Sequence, residues 1–78
     1  MIFLNEAPYP MGVWMKNTWV SLDVLFFDEQ KKIIKIFENL EPLDETPHRT
    51  AKPALGMLEL PAGTVKKYKI KVGDEILY

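Results

Sequence analysis

Val20-Ser21-Leu22-Asp23-Val24-Leu25-Phe26-Phe27 is the stretch whose reading decides the fold. Val20, Leu22, Val24 and Phe26 alternate with Ser21, Asp23, Leu25 and Phe27, the period of two that sends successive side chains to opposite faces of a strand. The second face turns apolar at its far end, which predicts a strand buried on both sides and central in its sheet. Asp28-Glu29-Gln30-Lys31 then supplies polar turn residues, and Ile33 to Glu38 resumes β-branched and aromatic character. The two segments therefore read as an antiparallel hairpin at the sheet centre, with Leu22, Val24, Phe26, Ile34 and Ile36 among its buried residues.

Working outward, residues 2–4 suit a short strand, and Pro8, Pro10 and Gly12 place a loop after it. The connection from Leu40 to Pro53 carries Pro42, Pro47 and Pro53 and is long for so short a chain, so it reads as a lid or an ornament. Leu55 to Leu60 is a further strand, weakened by Gly56. Pro61-Ala62-Gly63-Thr64 marks the start of a helix of one to two turns, with Thr64 or Gly63 near its N-cap. Gly73-Asp74 makes a turn before a last strand. The fold class expected is mostly β (α+β): a small, barrel-like antiparallel sheet with a central hairpin and one short helix near the C-terminus.

With 78 residues the chain is expected to form one domain over 1–78, and folding removes only about 60% of the surface of a chain this small. There is no Cys and one His, so neither disulfides nor a structural zinc is available as a staple. Oligomerisation remains, and a homo-oligomer is expected. Apolar residues make up 47% and charged residues 27% of the chain, too apolar a balance for disorder. A net charge of −1 provides no general field toward nucleic acid or an anionic membrane. The N-terminus lacks the basic start and apolar core of a secretory signal, and no apolar run approaches the length of a bilayer span. A cytoplasmic protein is the default expectation.

Trp14-Met15-Lys16-Asn17-Thr18, Leu22-Asp23-Val24-Leu25-Phe26-Phe27-Asp28, Glu38-Asn39, Leu58-Glu59-Leu60-Pro61-Ala62-Gly63-Thr64 and Ile70-Lys71-Val72-Gly73-Asp74 occur in this order. Together they resemble the bacterial and archaeal family called domain of unknown function 192, over nearly the whole chain. The Trp-Met-Lys-Asn-Thr block joined to a Leu-Asp strand is the specific part. The resemblance implies a mostly β, barrel-like domain with one short helix, and brings no established activity. Two departures stand out. Relatives usually carry an opening segment, with strands and an Arg-Gly-Leu-containing helical piece, ahead of the position matching Met1. The helix exit, commonly Gly in the family, is Lys69 here, and a left-handed non-Gly residue costs on the order of 1 kcal/mol, which predicts a different helix ending.

Trp14, Lys16, Asn17, Thr18 and Asp23 are the candidate ligand-binding residues: an ammonium, an amide, a hydroxyl and a carboxylate beside an indole suit a small polar ligand, carbohydrate-like in character. The plainer reading makes Asn17 and Thr18 a turn, pairs Asp23 with Lys16 and buries the tryptophans. A small enzyme using Lys16 and Asp23 as acid and base, with Asn17 as hydrogen-bond donor, is the catalytic alternative; no catalytic residue is fixed. Asp44, Glu45 and His48 contain metal-ligating types, but a lone His without Cys argues for no metal, and no cofactor is expected. Ser21 is the single serine and has no Gly-x-Ser-x-Gly context. Lys66, Lys67, Lys69 and Lys71 form a basic cluster before an ending similar to swapped-hairpin transcription factors of the AbrB type, which bind DNA as dimers. The acidic balance elsewhere and the lack of an arginine-rich β surface disfavour nucleic acid.

Overall fold

The computed structural model describes residues 1–77. In chain order its elements are β1 (Ile2–Tyr9), β2 (Gly12–Val13), β3 (Leu22–Phe27), β4 (Ile33–Leu40), β5 (His48–Arg49), β6 (Ala54–Pro61) and α1 (Thr64–Tyr68). Four strands make an antiparallel sheet in the order β1-β6-β3-β4, and β2 and β5 make a separate two-stranded ribbon. The chain is mostly β with one short helix near the C-terminus, as its pattern predicts, although the sheet stays open rather than closing into a barrel.

The hairpin forms, with one correction to its place. β3 is interior, between β6 and β4, whereas β4 lies at the sheet edge. The strand also begins at Leu22, leaving Val20 exposed. The connecting turn is closed by the Asp28 carboxylate, whose Oδ1 accepts from the N–H groups of Gln30 and Lys32, each at 2.9 Å. Two register shifts in β4 then change how its side chains point. Phe26 faces Lys35 and Phe27 faces Ile33, so Ile34 is an extra residue of the kind that makes a β-bulge. Strict alternation would put Ile34 and Ile36 on one face; the bulge sends them to opposite ones.

Both faces of β3 are consequently covered. On one, Val24 and Phe26 pack with Met15, Leu40, Ala54 and Met57, under Met11 and Val13. The β2–β5 ribbon lies here, so the long 40–53 connection is the outer layer of this core. On the other face, Leu25, Ile33 and Val65 pack with Ile36, Leu58, Leu60, Ile70 and Ile76, beneath α1 and the C-terminal segment. Gly56 of β6 lies directly beside Phe27, and a Cβ there would run into the Phe27 ring and the Phe3 carbonyl oxygen. The glycine that weakens the strand in propensity is what lets the aromatic ring lie across it.

The helix does end on Lys69, contrary to the expectation of a different exit. Lys69 takes the left-handed conformation (φ 55°, ψ 40°), its N–H donates to the Lys66 carbonyl at 3.3 Å, and the Ile70 N–H donates to Val65 at 3.0 Å. This is the paired-bond Schellman ending, with Ile70 packed against the apolar cluster that includes Val65. The expected last strand shrinks to a single bridge between Lys32 and Glu75, after a turn in which Gly73 has φ 97°. Among the described residues no helix is long and apolar enough to cross a membrane.

Two mutations test this account. Phe26 is fully buried, and Phe26→Ala is expected to cost about 3–5 kcal/mol, close to all that a small domain possesses; chemical denaturation showing an unchanged midpoint would refute the placement. Lys69→Gly relieves the left-handed backbone and should gain up to about 1 kcal/mol, raising the melting midpoint by roughly 4–8 °C.

Candidate functional site

The Trp14–Thr18 block forms a tight turn because its backbone closes on itself and on the 40–53 connection. The Thr18 N–H donates to the Met15 carbonyl at 3.0 Å, and Asn17 in the third turn position has φ 63°. Asn is among the few non-glycine residues that tolerate that conformation. Two cross-connections fix the turn: the Met15 N–H donates to the Asp44 carbonyl and the Leu43 N–H to the Thr18 carbonyl, both at 2.9 Å. Met15 alone points into the core, at 1% exposure. Trp14, Lys16 and Asn17 are exposed, Thr18 is half-buried, and Trp19 is 77% exposed. The tryptophans therefore do not fill the core, as the plainer reading supposes. The Lys16 ammonium lies over the Trp14 indole, 5.2 Å from the ring centroid.

Beside Trp14 the ribbon makes a shallow hollow of about 330 Å³, lined by Gly12, Val13, Trp14, Pro47 and Arg49. Gly12 faces Arg49 across the ribbon, and a Cβ on Gly12 would come within 3.1 Å of Arg49 Cγ. The glycine thus makes room for the aliphatic stem of Arg49. The opposite side of β5 is apolar: the His48 ring packs against Phe37 with centroids 5.1 Å apart, and its buried Nε2 has no partner among the described residues. Asp44 forms an Asx turn with the Thr46 N–H at 2.9 Å. Hydrogen bonds from Thr46, first from its backbone and then from its hydroxyl, hold the Asp44 carboxyl below the ordinary 3.8; desolvation opposes them, and attraction to His48 adds to them last. The linings Gly12, Val13, Pro47 and Arg49 are absent from the sequence-based candidates. A ladder of two residues joining segments so far apart in the chain has no periodic signature to find.

A family model described as "Uncharacterized ACR", domain of unknown function 192, matches residues 1–78. The chain belongs to that family. A protein of unknown function from Novosphingobium aromaticivorans is similar in structure, with a TM-score of 0.95 and 37% identity over 100% of this chain and 56% of that one. A protein from Sinorhizobium meliloti described as a candidate transcription regulator gives a TM-score of 0.93 and 39% identity over 96% of this chain and 58% of that one. The chain spans little more than half the length of these solved structures. No curated protein matches it.

In this member of domain of unknown function 192, Asp23 is separated from the other four candidates. It is fully buried, and both carboxylate oxygens are engaged: Oδ1 accepts from the Asn39 N–H at 2.9 Å, Oδ2 from the Gly63 and Val65 N–H groups at 3.1 and 2.9 Å. Lys16 and Asp23 accordingly share no site, and Asp23 neither pairs with Lys16 nor reaches solvent. The carboxylate serves as an N-terminal cap reaching α1 from a distant strand, at a helix that makes no side-chain cap of its own. Asp23→Asn keeps the shape but gives up acceptors; with about 1–3 kcal/mol lost for each orphaned buried donor, the variant should unfold at clearly lower denaturant. An unchanged midpoint would show that the staple is unimportant.

Proposed function

We propose that this chain is a binding module for a small polar ligand, received on the exposed face of Trp14 with Lys16 and Asn17 at its border and the Arg49 hollow beside it. The observation that carries the reading is a half-exposed indole, 51% accessible, held at the rim of a concavity by a turn that is bonded at both ends. An aromatic face kept open on a fixed backbone has stacking surface to offer with little ordering cost. Thr18 contributes backbone anchoring, and Asp23 acts only through the scaffold. The catalytic alternative loses its support, since the acid–base pair it requires is split between the surface and the interior. A nucleic-acid reading would rest on Lys66, Lys67 and Lys69, which lie in and just after a five-residue helix, too short to fill a groove.

Titration of the labelled protein with neutral and acidic saccharides and with nucleotides, followed by amide and indole NMR signals, tests the module. Shifts should centre on Trp14 and residues 12–18. Lys16→Ala and Trp14→Ala should weaken them at least severalfold with the melting midpoint within a few degrees; Asn17→Gly, which keeps the left-handed backbone, separates side chain from turn. Large loss of stability in these variants, or no response to any ligand, defeats the reading.

A second reading, self-assembly, is favoured by β1. Seven of its eight residues are exposed, Ile2, Phe3 and Leu4 among them. It is an edge strand with one neighbour, β6, and in the antiparallel alternation its outward ladder groups await a partner. A second copy pairing through a two-fold axis covers the strand and closes the assembly. Sedimentation equilibrium at micromolar concentration should give about twice the 9.1 kDa monomer, with a melting midpoint that rises with concentration; a monomer with a fixed midpoint refutes it.

A further inference from the structure

The hollow contains a cation whose side chain has no partner among the described residues. Arg49 is exposed, it lines the concavity, and among the described residues its side chain makes no ion pair or hydrogen bond. Among the described residues no carboxylate lines the hollow, whose remaining walls are the Trp14 indole, Val13, Pro47 and the backbone of Gly12. The nearby Asp44 carboxylate is turned to the Thr46 N–H. Lys16 adds a second positive charge, 5.2 Å from the Trp14 ring centroid. Net charge across the chain is −1, so this concentration of positive charge is local, set against an aromatic face.

From this geometry we infer that the ligand of the Trp14 surface is an anionic ring compound, its carboxylate or phosphate held by Arg49 and its ring laid against Trp14. The inference rests on the binding reading above and narrows it. A planar guanidinium presents a fork of N–H donors that matches a carboxylate or phosphate, a recognition a point charge does not reproduce. A neutral sugar leaves that fork unused, and a cationic ring meets two like charges. Gly12 is the positioning residue: without a Cβ it lets the Arg49 stem lie across β2, and any side chain there must push the stem aside.

The test uses matched probes on the full chain. Phenyl phosphate, phenylacetate, benzyl alcohol and benzylamine share a ring and differ in charge; glucuronate and glucose distinguish a sugar source from an aromatic one. Affinities are read from the Trp14 indole and Arg49 Nε–H signals. The anionic probes are expected to bind at least tenfold tighter than their neutral partners, with added salt weakening them. Arg49→Gln should erase that preference, Arg49→Lys should restore only part of it, and Gly12→Ala should lower the affinity for the anion more than that for the neutral ring. Neutral and anionic probes binding equally, or Arg49→Gln leaving the preference intact, overturns the inference while the binding module stands. Silence from every probe at Trp14 defeats both. A response to glucuronate alone, or to the aromatic anions alone, assigns the source within the inferred class.

Discussion

A single buried carboxylate ties the interior strand to the far end of its hairpin partner and to the start of the helix. Asp23 lies on the interior strand, yet the N–H groups it accepts belong to Asn39 at the far end of the hairpin and to Gly63 and Val65 at the start of the helix. A carboxylate moved out of water needs its lone pairs filled, and backbone donors at a helix start need an acceptor. Each requirement satisfies the other. The second register shift of β4 supports this: Leu22 faces Leu40 while Val24 faces Phe37, and the residue spared by that shift, Asn39, takes φ 52° and presents its N–H to Asp23.

With the helix pinned to that point, α1 and the segment after it cover one face of β3 while the ribbon covers the other. A sheet whose central strand is buried on both faces needs two layers, and a chain of 78 residues can afford only thin ones: a helix of five residues and a ribbon of two-residue strands. The thinness also explains why the polar block beside Trp14 ends up outside. Met15 goes inward to fill the core beneath the ribbon, and the residues flanking it turn outward.

What the sequence discloses follows from how local each cause is. The hairpin, Gly73 turn and helix start were legible because alternation, turn chemistry and an N-cap signal act within a few residues. Asp23 was legible as a polar residue in an apolar strand, but its partners lie 16, 40 and 42 positions away, so it passed for a surface group. Ile34 and Ile36 looked alike until a bulge split them. Arg49 carried no pattern at all, since its place depends on Gly12, far off in the chain. Lys69 shows packing prevailing over preference: Ile70, seated against the Leu25, Ile33 and Val65 cluster, goes with a helix exit that lysine disfavours.

The ribbon and the sheet differ in how they can come apart. Hydrogen bonds of β3 are shared with neighbours on both sides and sealed under two layers, whereas β2 and β5 pair only at Gly12 with Arg49 and Val13 with His48, extended by the bond from the Thr50 N–H to the Met11 carbonyl. Short ladders open locally at low free energy while interior strands open only with the whole molecule. The surface bearing Trp14 and Arg49 thus rests on a short ladder packed against a long one. Amide exchange becomes a native readout of occupancy, because anything that bridges the two ribbon strands slows the exchange of the ribbon while leaving that of β3 to global unfolding.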